Sequence, residues 1–381
     1  MWNVEDGTVR VFPPNASMTA THWIDTPAAL SEAIACWQGR DWLTVDTEFL
    51  RIDTYRPKLC LIQIGDGIDA WVIDTVALTD LSALFARLNE PGTVKVFHAA
   101  SQDLEIFAQL TGTCPAPIFD TQLAAALLGK GDQLGYAALV SQELGIVIDK
   151  SLTRTDWSRR PLTGPEIAYA AADVTHLATI YPTLLAALKA SGRESWLLED
   201  AARAALPATY ETRPEDAWQR LKGLARLEVP AQRAAARIAA WRETEAMAKN
   251  RPRGWIVEDE LVYRLAERRP QNRAQLADLG LPPKTFERHA EALLAAIAAS
   301  HGDPQTALAR DERLSPAQKA QLARLREVVQ AAAQSLGVPP GLLAPRADLD
   351  ALLYEGAAAS ARALTGWRRQ VIGDALLNTL Q

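Results

Sequence analysis

The chain has 381 residues, with 40 Lys and Arg against 46 Asp and Glu, a net charge of −6 and 48% hydrophobic residues, a composition that excludes disorder as the main state and predicts two or three domains. Three scattered cysteines, Cys36, Cys60 and Cys114, exclude a disulfide framework or a CxxC metal site and point to a reducing compartment, the cytoplasm. The opening MWNVEDGTVRVFPPN lacks a basic stretch followed by an apolar one, and no window approaches the roughly 18 apolar residues of a membrane span, so neither export nor membrane insertion is expected.

Strand and helix signals alternate over the first 200 residues. WLTVDTEF (42–49), LCLIQIG (59–65) and AWVID (70–74) are β-rich runs set apart by polar and glycine-containing segments, the pattern of an antiparallel meander. An amphipathic stretch from Leu78 to Leu88 and a fourth apolar run, TVKVFH (93–98), predict a crossover back into the same sheet. Leu104, Phe107 and Leu110 then keep helical spacing, and from Asp120 the signal is mostly helical. Thr163 and Glu166 form a T-x-x-E capping box for a helix that Pro182 is expected to end or kink. Beyond about residue 205 strand signals nearly vanish, and 215–298 reads as short helices punctuated by glycine and proline. After HGDP (301–304) a third stretch continues in helical style. Residues 211–300 hold 16 Lys and Arg against 13 Asp and Glu, a local +3 that leaves −9 elsewhere; a solvated surface accounts for so small an excess more readily than a nucleic-acid partner does.

The chain lacks a phosphate-binding G-x-x-x-x-G-K-[ST] loop, a G-x-G-x-x-G turn, a G-x-S-x-G elbow and an H-E-x-x-H zinc motif, so no nucleotide cofactor is expected. VDTEF is the distinctive segment. Period-two alternation puts Asp46 and Glu48 on one face of a strand whose other face carries Leu43, Val45 and Phe49. Two like charges so close need either water, as on an exposed edge, or a cation. Asp103 follows the fourth strand in the first turn of a helix, where an acidic residue also suits the helix dipole. Tyr169 and Asp173 are i, i+4 neighbours beside a stripe of Ile167, Ala170, Val174, Leu177 and Tyr181 suited to packing on the sheet, and His176 reads as a surface or edge histidine. WSRRP joins Trp157 to Arg159 and Arg160, a pairing equally suited to stacking and phosphate contact or to a tryptophan packed under a loop.

D-x-E on the first strand, an Asp after the fourth strand and Y-x-x-x-D on a late helix, in that order, resemble the DEDD superfamily of 3′-to-5′ exonucleases in its Tyr-containing subclass. The resemblance extends to the ribonuclease D family through LCLIQIG, VFHAASQDLE, FDTQLAAALLG, LGYAALV and DKSLTRTDWSRRPLT. WQRLKG and AAWRETEAMAKNRPRGWIVEDELVYRLAERRP resemble that family's HRDC (helicase and ribonuclease D C-terminal) module. The match is densest over 40–182, extends over 215–298, and fades after 301. It implies an α/β ribonuclease-H-like exonuclease domain, a mixed sheet flanked by helices, at 17–205. All-α HRDC-type domains are expected to follow, one at 211–298 and a second at 302–381.

The resemblance further implies that Asp46, Glu48, Asp103 and Asp173 hold two divalent metal ions. Hard oxygen donors favour Mg²⁺ or Mn²⁺. Tyr169, with an ordinary pKa near 10, is assigned to orienting the attacking water. Phe49 and His98 are implied to line the pocket for the 3′ end, although periodicity alone favours Phe49 as a core residue. Trp157 and Arg160 are candidates for substrate contact, and Arg220, Lys222, Arg226, Arg233 and Arg237 for contact with a backbone. The expected activity is metal-dependent release of 5′-mononucleotides from RNA with a free 3′ end, tRNA precursors being the class the family suggests, by a monomer. A DNA exonuclease would carry the same carboxylates. A non-catalytic RNA-binding protein on the same fold is the reading from another class, against which the intact acidic motifs argue.

Overall fold

The structure, a computed structural model, describes residues 4–5, 8–10, 20–304, 306–309 and 314–380. Residues 17–19 of the expected catalytic domain, and 305, 310–313 and 381 of the expected third domain, lie outside the described residues. The chain divides into two compact units: Met1–Leu50 with Leu59–Tyr210 and Leu314–Gln381, and Arg51–Lys58 with Glu211–Arg313.

The first unit is built on an eight-stranded mixed sheet. Its strands are β1 (Val4–Glu5), β2 (Thr8–Arg10), β3 (Ala20–Ile24), β4 (Trp42–Leu50), β5 (Lys58–Gly65), β6 (Ala70–Asp74), β7 (Val94–Phe97) and β8 (Ile118–Asp120), in the order β1-β2-β3-β6-β5-β4-β7-β8. The expected runs at 42–49, 59–65, 70–74 and 93–98 are all strands. β1, β2, β3 and β8 were not anticipated: β1, β2 and β8 span only two or three residues, and β3 (ATHWI) lacks a continuous apolar run. β5 runs antiparallel to β6 and β4 parallel to β7, as a meander followed by a crossover requires.

Helices α1 (Pro27–Cys36), α2 (Ser82–Leu88), α3 (Ser101–Thr111), α4 (Thr121–Leu127), α5 (Tyr136–Leu144), α6 (Gly164–Ala190) and α7 (Glu194–Ala204) complete this part of the unit. Leu43, Val45, Ile62, Ile64, Trp71 and Ile73 enter the main core, whereas Leu61, Ala70 and Val72 meet Ala170, Ala171 and Val174 of α6 in a second one. Period-two strands buried on both faces explain the near-continuous apolar runs of β5 and β6. The capping box opens α6 as expected, Glu166 accepting from the Thr163 backbone N–H at 2.7 Å. Pro182 does not end it: the helix runs on to Ala190 with Tyr181, Leu184 and Leu188 buried. That burial outweighs the roughly 3 kcal/mol that an interior proline costs.

The second unit is helical: α8 (Val229–Lys249), α9 (Arg253–Ile256), α10 (Asp259–Arg268), α11 (Arg273–Ala277) and α12 (Pro283–Ala299), around a core that includes Ala235, Ile238, Val262, Leu265, Leu293 and Ile297. Residues 51–58, the β4–β5 connection with the first residue of β5, belong to it, because the Tyr55 hydroxyl donates to Glu243 and Arg253 binds the same carboxylate through Nε at 2.5 Å and a second nitrogen at 2.9 Å.

Residues 302–381 were expected as a separate HRDC-like domain; of these, the described residues from 314 onward group with the first unit instead. Helices α13 (Pro316–Leu336), α14 (Pro340–Leu343), α15 (Arg346–Glu355), α16 (Gly366–Arg368) and α17 (Asp374–Thr379) share the main core of the first unit. The physical reason is a set of contacts to its α-helical side. Arg368, fully buried, binds Asp200 through two bonds of 2.6 and 2.7 Å. Trp367 stacks on Trp196 at 4.4 Å, and Arg193 donates to the carbonyls of both Leu127 and Leu336. Gly129, at φ +71°, passes so close to Gly337 that a Cβ would stand 2.1 Å from its carbonyl oxygen.

Candidate active site

β4 supplies the first two carboxylates. Its alternation sends Leu43 and Val45 into the main core and leaves Thr44, Asp46 and Glu48 on the face covered by α6. Thr44 Oγ1 fixes strand to helix, lying 2.9 Å from the Val174 carbonyl and 3.2 Å from that of Gly65. The closeness requires glycine at 65, since a Cβ there would meet Thr44 Oγ1 at 2.4 Å. With Val174 pinned, its neighbour Asp173 is delivered to the end of β4. One oxygen from each of Asp46, Glu48 and Asp173 lies within 4.8 Å of the others.

Asp103 approaches from the other side of β4. Its Oδ1 accepts from Thr47 Oγ1 at 2.5 Å, and the residue is buried. It stands outside the close triad but near enough for its charge to act on Glu48. The turn that carries it is held by Asp120, whose carboxylate accepts the N–H groups of Ala99 and Ala100 at 3.0 Å and of Gln122 at 2.8 Å. Ala99 sits at φ +55°, a left-handed conformation that such bonds stabilise.

The electrostatics are those of a cation site. Burial raises Asp46 to about 6. Glu48 is pushed up to about 9, first by burial and then by the charges of Asp46, Asp173 and Asp103. Burial, followed by the charge of Asp46, holds Asp103 and Asp173 well above the usual carboxylate range. Four acids that repel one another in a low-dielectric setting are an unstable arrangement without positive charge. Carboxylate oxygens alone, with no thiolate or imidazole among the close donors, fit hard divalent cations.

Tyr169 lies one helical turn before Asp173 on α6, and burial followed by the Asp173 charge raises its pKa, so the phenol is a hydrogen-bond donor at neutral pH. Trp157 is 2% exposed and stacks against Tyr169 with ring centroids 6.2 Å apart. Its placement is that of a tryptophan packed under a loop, backing Tyr169. Arg160, expected at substrate, is engaged by the protein: it binds Asp74 through two bonds of 2.6 Å and donates to the carbonyls of Trp157 at 2.7 Å and Cys60 at 3.0 Å. Arg159 likewise holds Glu166 at 2.7 Å to both oxygens. These bonds make the WSRRP segment an anchor for the start of α6. Arg233 and Arg237, expected to contact a backbone, are also engaged, with Thr306 and Asp303 respectively.

Phe49 is partly buried against the main core. His98 Nδ1 meets Thr121 Oγ1 at 2.9 Å, and burial lowers its pKa, so the ring is neutral. Beside it stands Tyr136, which sequence reasoning missed. Its ring lies 5.7 Å from that of His98, and its hydroxyl is 2.9 Å from the Asp173 carbonyl and 3.1 Å from His176 Nδ1. His176 is accordingly a partly buried neighbour of the acidic cluster, not a free surface group. No spacing rule singles out Tyr136, whereas Asp120 was detectable as an acidic residue at the N-cap of α4.

A 3′-5′ exonuclease family model matches residues 21–189, and an HRDC domain model matches 231–297. The ribonuclease D of Pseudomonas paraeruginosa is 40% identical over 367 residues, covering 94% of this chain and 97% of the relative. That of Acidiphilium cryptum is 41% identical over 372 residues, covering 95% and 93%. The crystal structure of Escherichia coli RNase D, described as an exoribonuclease involved in structured RNA processing, superposes with a TM-score of 0.87 at 30% identity over 95% of this chain and 98% of that one. Carboxylates clustered on a mixed sheet, an exonuclease domain, an HRDC domain and relatives alike over nearly their whole length have one meaning: the chain belongs to the ribonuclease D family.

Proposed function

We propose that the protein is a metal-dependent 3′-to-5′ exoribonuclease that removes 5′-mononucleotides from the ends of structured RNA, with tRNA precursors among its substrates. The observation that carries the reading is the convergence of Asp46, Glu48 and Asp173 within 4.8 Å at the end of β4, with Asp103 beside them. Four carboxylates match the charge of two divalent cations, Mg²⁺ or Mn²⁺, held by Asp46, Glu48, Asp103 and Asp173. When bound, such ions supply an activated water and stabilise the departing 3′-oxygen.

The chain's own residues do the rest. Tyr169 donates a hydrogen bond that orients the attacking water, and Trp157 behind it fixes the direction of the phenol. Phe49 and His98 border the pocket for the terminal nucleotide, His98 in neutral form. Arg160 and Arg159 serve indirectly, by holding the segment before α6. Work as a monomer in the cytoplasm belongs to the same proposal; among the described residues no helix is long and apolar enough to cross a membrane.

The test is to incubate the protein with 3′- and 5′-labelled single-stranded RNA and the matching DNA, in Mg²⁺, Mn²⁺ or EDTA, and to follow product length. Metal-dependent release of mononucleotides from the 3′ end, faster on RNA, is expected. Equal or faster cutting of DNA removes the RNA assignment, and no cutting of either with any metal removes the enzymatic one.

A further inference from the structure

Gln63, on β5, is 0% exposed, and neither its Nε2 nor its Oε1 has a hydrogen-bond partner among the described residues. Leaving a buried amide unsatisfied forfeits the hydrogen bonds it made to water, so a buried glutamine with both ends free needs a reason. Its position supplies one. Gly65 abuts Thr44, and the chain returns from β4 to β5 through residues 51–57, too short a connection for a parallel pair. Antiparallel pairing that sets Thr44 against Gly65 sets Asp46 against Gln63, on the same face. The other neighbours there are apolar: Leu61 and Val72 belong to the core under α6, and Val72 is the partner of Gln63 on β6. At Asp46, burial raises the pKa and the Thr47 backbone N–H acts against it.

We propose that Gln63 is a positioning residue for the acidic site: its amide N–H engages the Asp46 carboxylate once cations are bound, and fixes which oxygen Asp46 presents to them. The inference rests on the metal-site reading above. It explains why a polar side chain interrupts the otherwise apolar LCLIQIG strand, and it follows the general pattern in which a ligating carboxylate is oriented by a hydrogen bond from behind.

The experiment is calorimetric titration of Mn²⁺ into the full-length wild type and Gln63→Met, with thermal unfolding of the metal-free proteins alongside. Methionine has similar volume and no unsatisfied donor, so the metal-free variant is expected to melt at or above the wild-type temperature. Its Mn²⁺ affinity is expected to fall roughly 10- to 100-fold. Wild-type affinity in the folded variant overturns the proposal, whatever its melting temperature, and leaves the amide a partner for an internal water. If Gln63→Met does not fold, Gln63→Asn, which withdraws the amide by one methylene, makes the same comparison with the same two outcomes. Failure of the wild type to bind Mn²⁺ at all would overturn the metal-site reading instead, so the two failures are distinguishable.

Discussion

Trp157 lies nearly parallel to Tyr169, with ring planes 24° apart and centroids 6.2 Å apart, and it is almost wholly buried in doing so. The stack ties the tyrosine that faces the carboxylates to a small core made of Cys60, Leu61, Val72, Ala170 and Val174. Trp157→Ala is therefore expected to destabilise the protein by about 3–5 kcal/mol and to lower turnover. Trp157→Phe keeps a ring behind Tyr169 and should restore most of both. Loss of RNA affinity with unchanged denaturation midpoint would mean instead that the indole touches substrate.

Tyr169→Phe removes a donor without opening a cavity. Turnover should fall roughly 10- to 100-fold, the penalty of a misdirected reactant, while Mn²⁺ binding stays at the wild-type level. An unchanged rate at saturating metal would end the water-orienting role.

Asp46→Asn and Asp173→Asn should abolish hydrolysis and yet raise the melting temperature of the metal-free protein, because each replaces a carboxyl whose ionisation is opposed by burial and, for Asp173, by the neighbouring Asp46 charge. A stabilised, inactive protein is the signature of a site designed around a cation. Near-normal activity in either variant contradicts the assignment.

The same repulsion makes stability depend on pH. A carboxyl raised to about 9, as Glu48 is, binds its proton more tightly folded than unfolded, so its contribution is complete at low pH and lost as pH rises through about 9. His98 and His176, lowered by burial, act in the opposite sense, but their effect is complete above the ordinary histidine range near 6.5. Between about pH 7 and 8, below the range where Lys95, lowered by burial to about 8, acts in the opposite sense, the metal-free protein should therefore lose stability in denaturant titrations. Saturating Mg²⁺ or the Glu48→Gln substitution should flatten that slope.

Arg160→Ala should weaken folding more than binding. Asp74 is buried, and although burial would raise its pKa, the Arg160 bonds, with the N–H groups of Ala77 and Val76, prevail and lower it. Removing the guanidinium leaves that buried carboxylate without its counter-charge, at a cost on the order of 3 kcal/mol. Steady-state kinetics on the folded fraction should show a nearly unchanged KM; a large rise in KM at normal stability would return Arg160 to the substrate.

The carboxylates were legible in the sequence because strand and helix periods are short. Two residues apart on a strand, or four apart on a helix, determine a shared face without reference to anything distant. Asp46, Glu48, Tyr169 and Asp173 were found in that way, and the apolar runs of β4 to β7 likewise declared the sheet. Trp157 and Arg160 stood equally for substrate contact or for packing, because a sequence cannot say whether a guanidinium meets a phosphate or an aspartate 86 residues away.

What the sequence determined by itself was local: which segments form strands, which helix opens at Thr163, and which acidic residues share a face. Tertiary structure decided the remainder. It carried α6 past Pro182, set Tyr136 and His176 beside Asp173, buried Gln63 with its amide unsatisfied, and folded residues 314–380 onto the first unit through Arg368 and Asp200. Each of these depends on contacts between residues far apart in the chain, whose energies come from burial and pairing that no local period encodes.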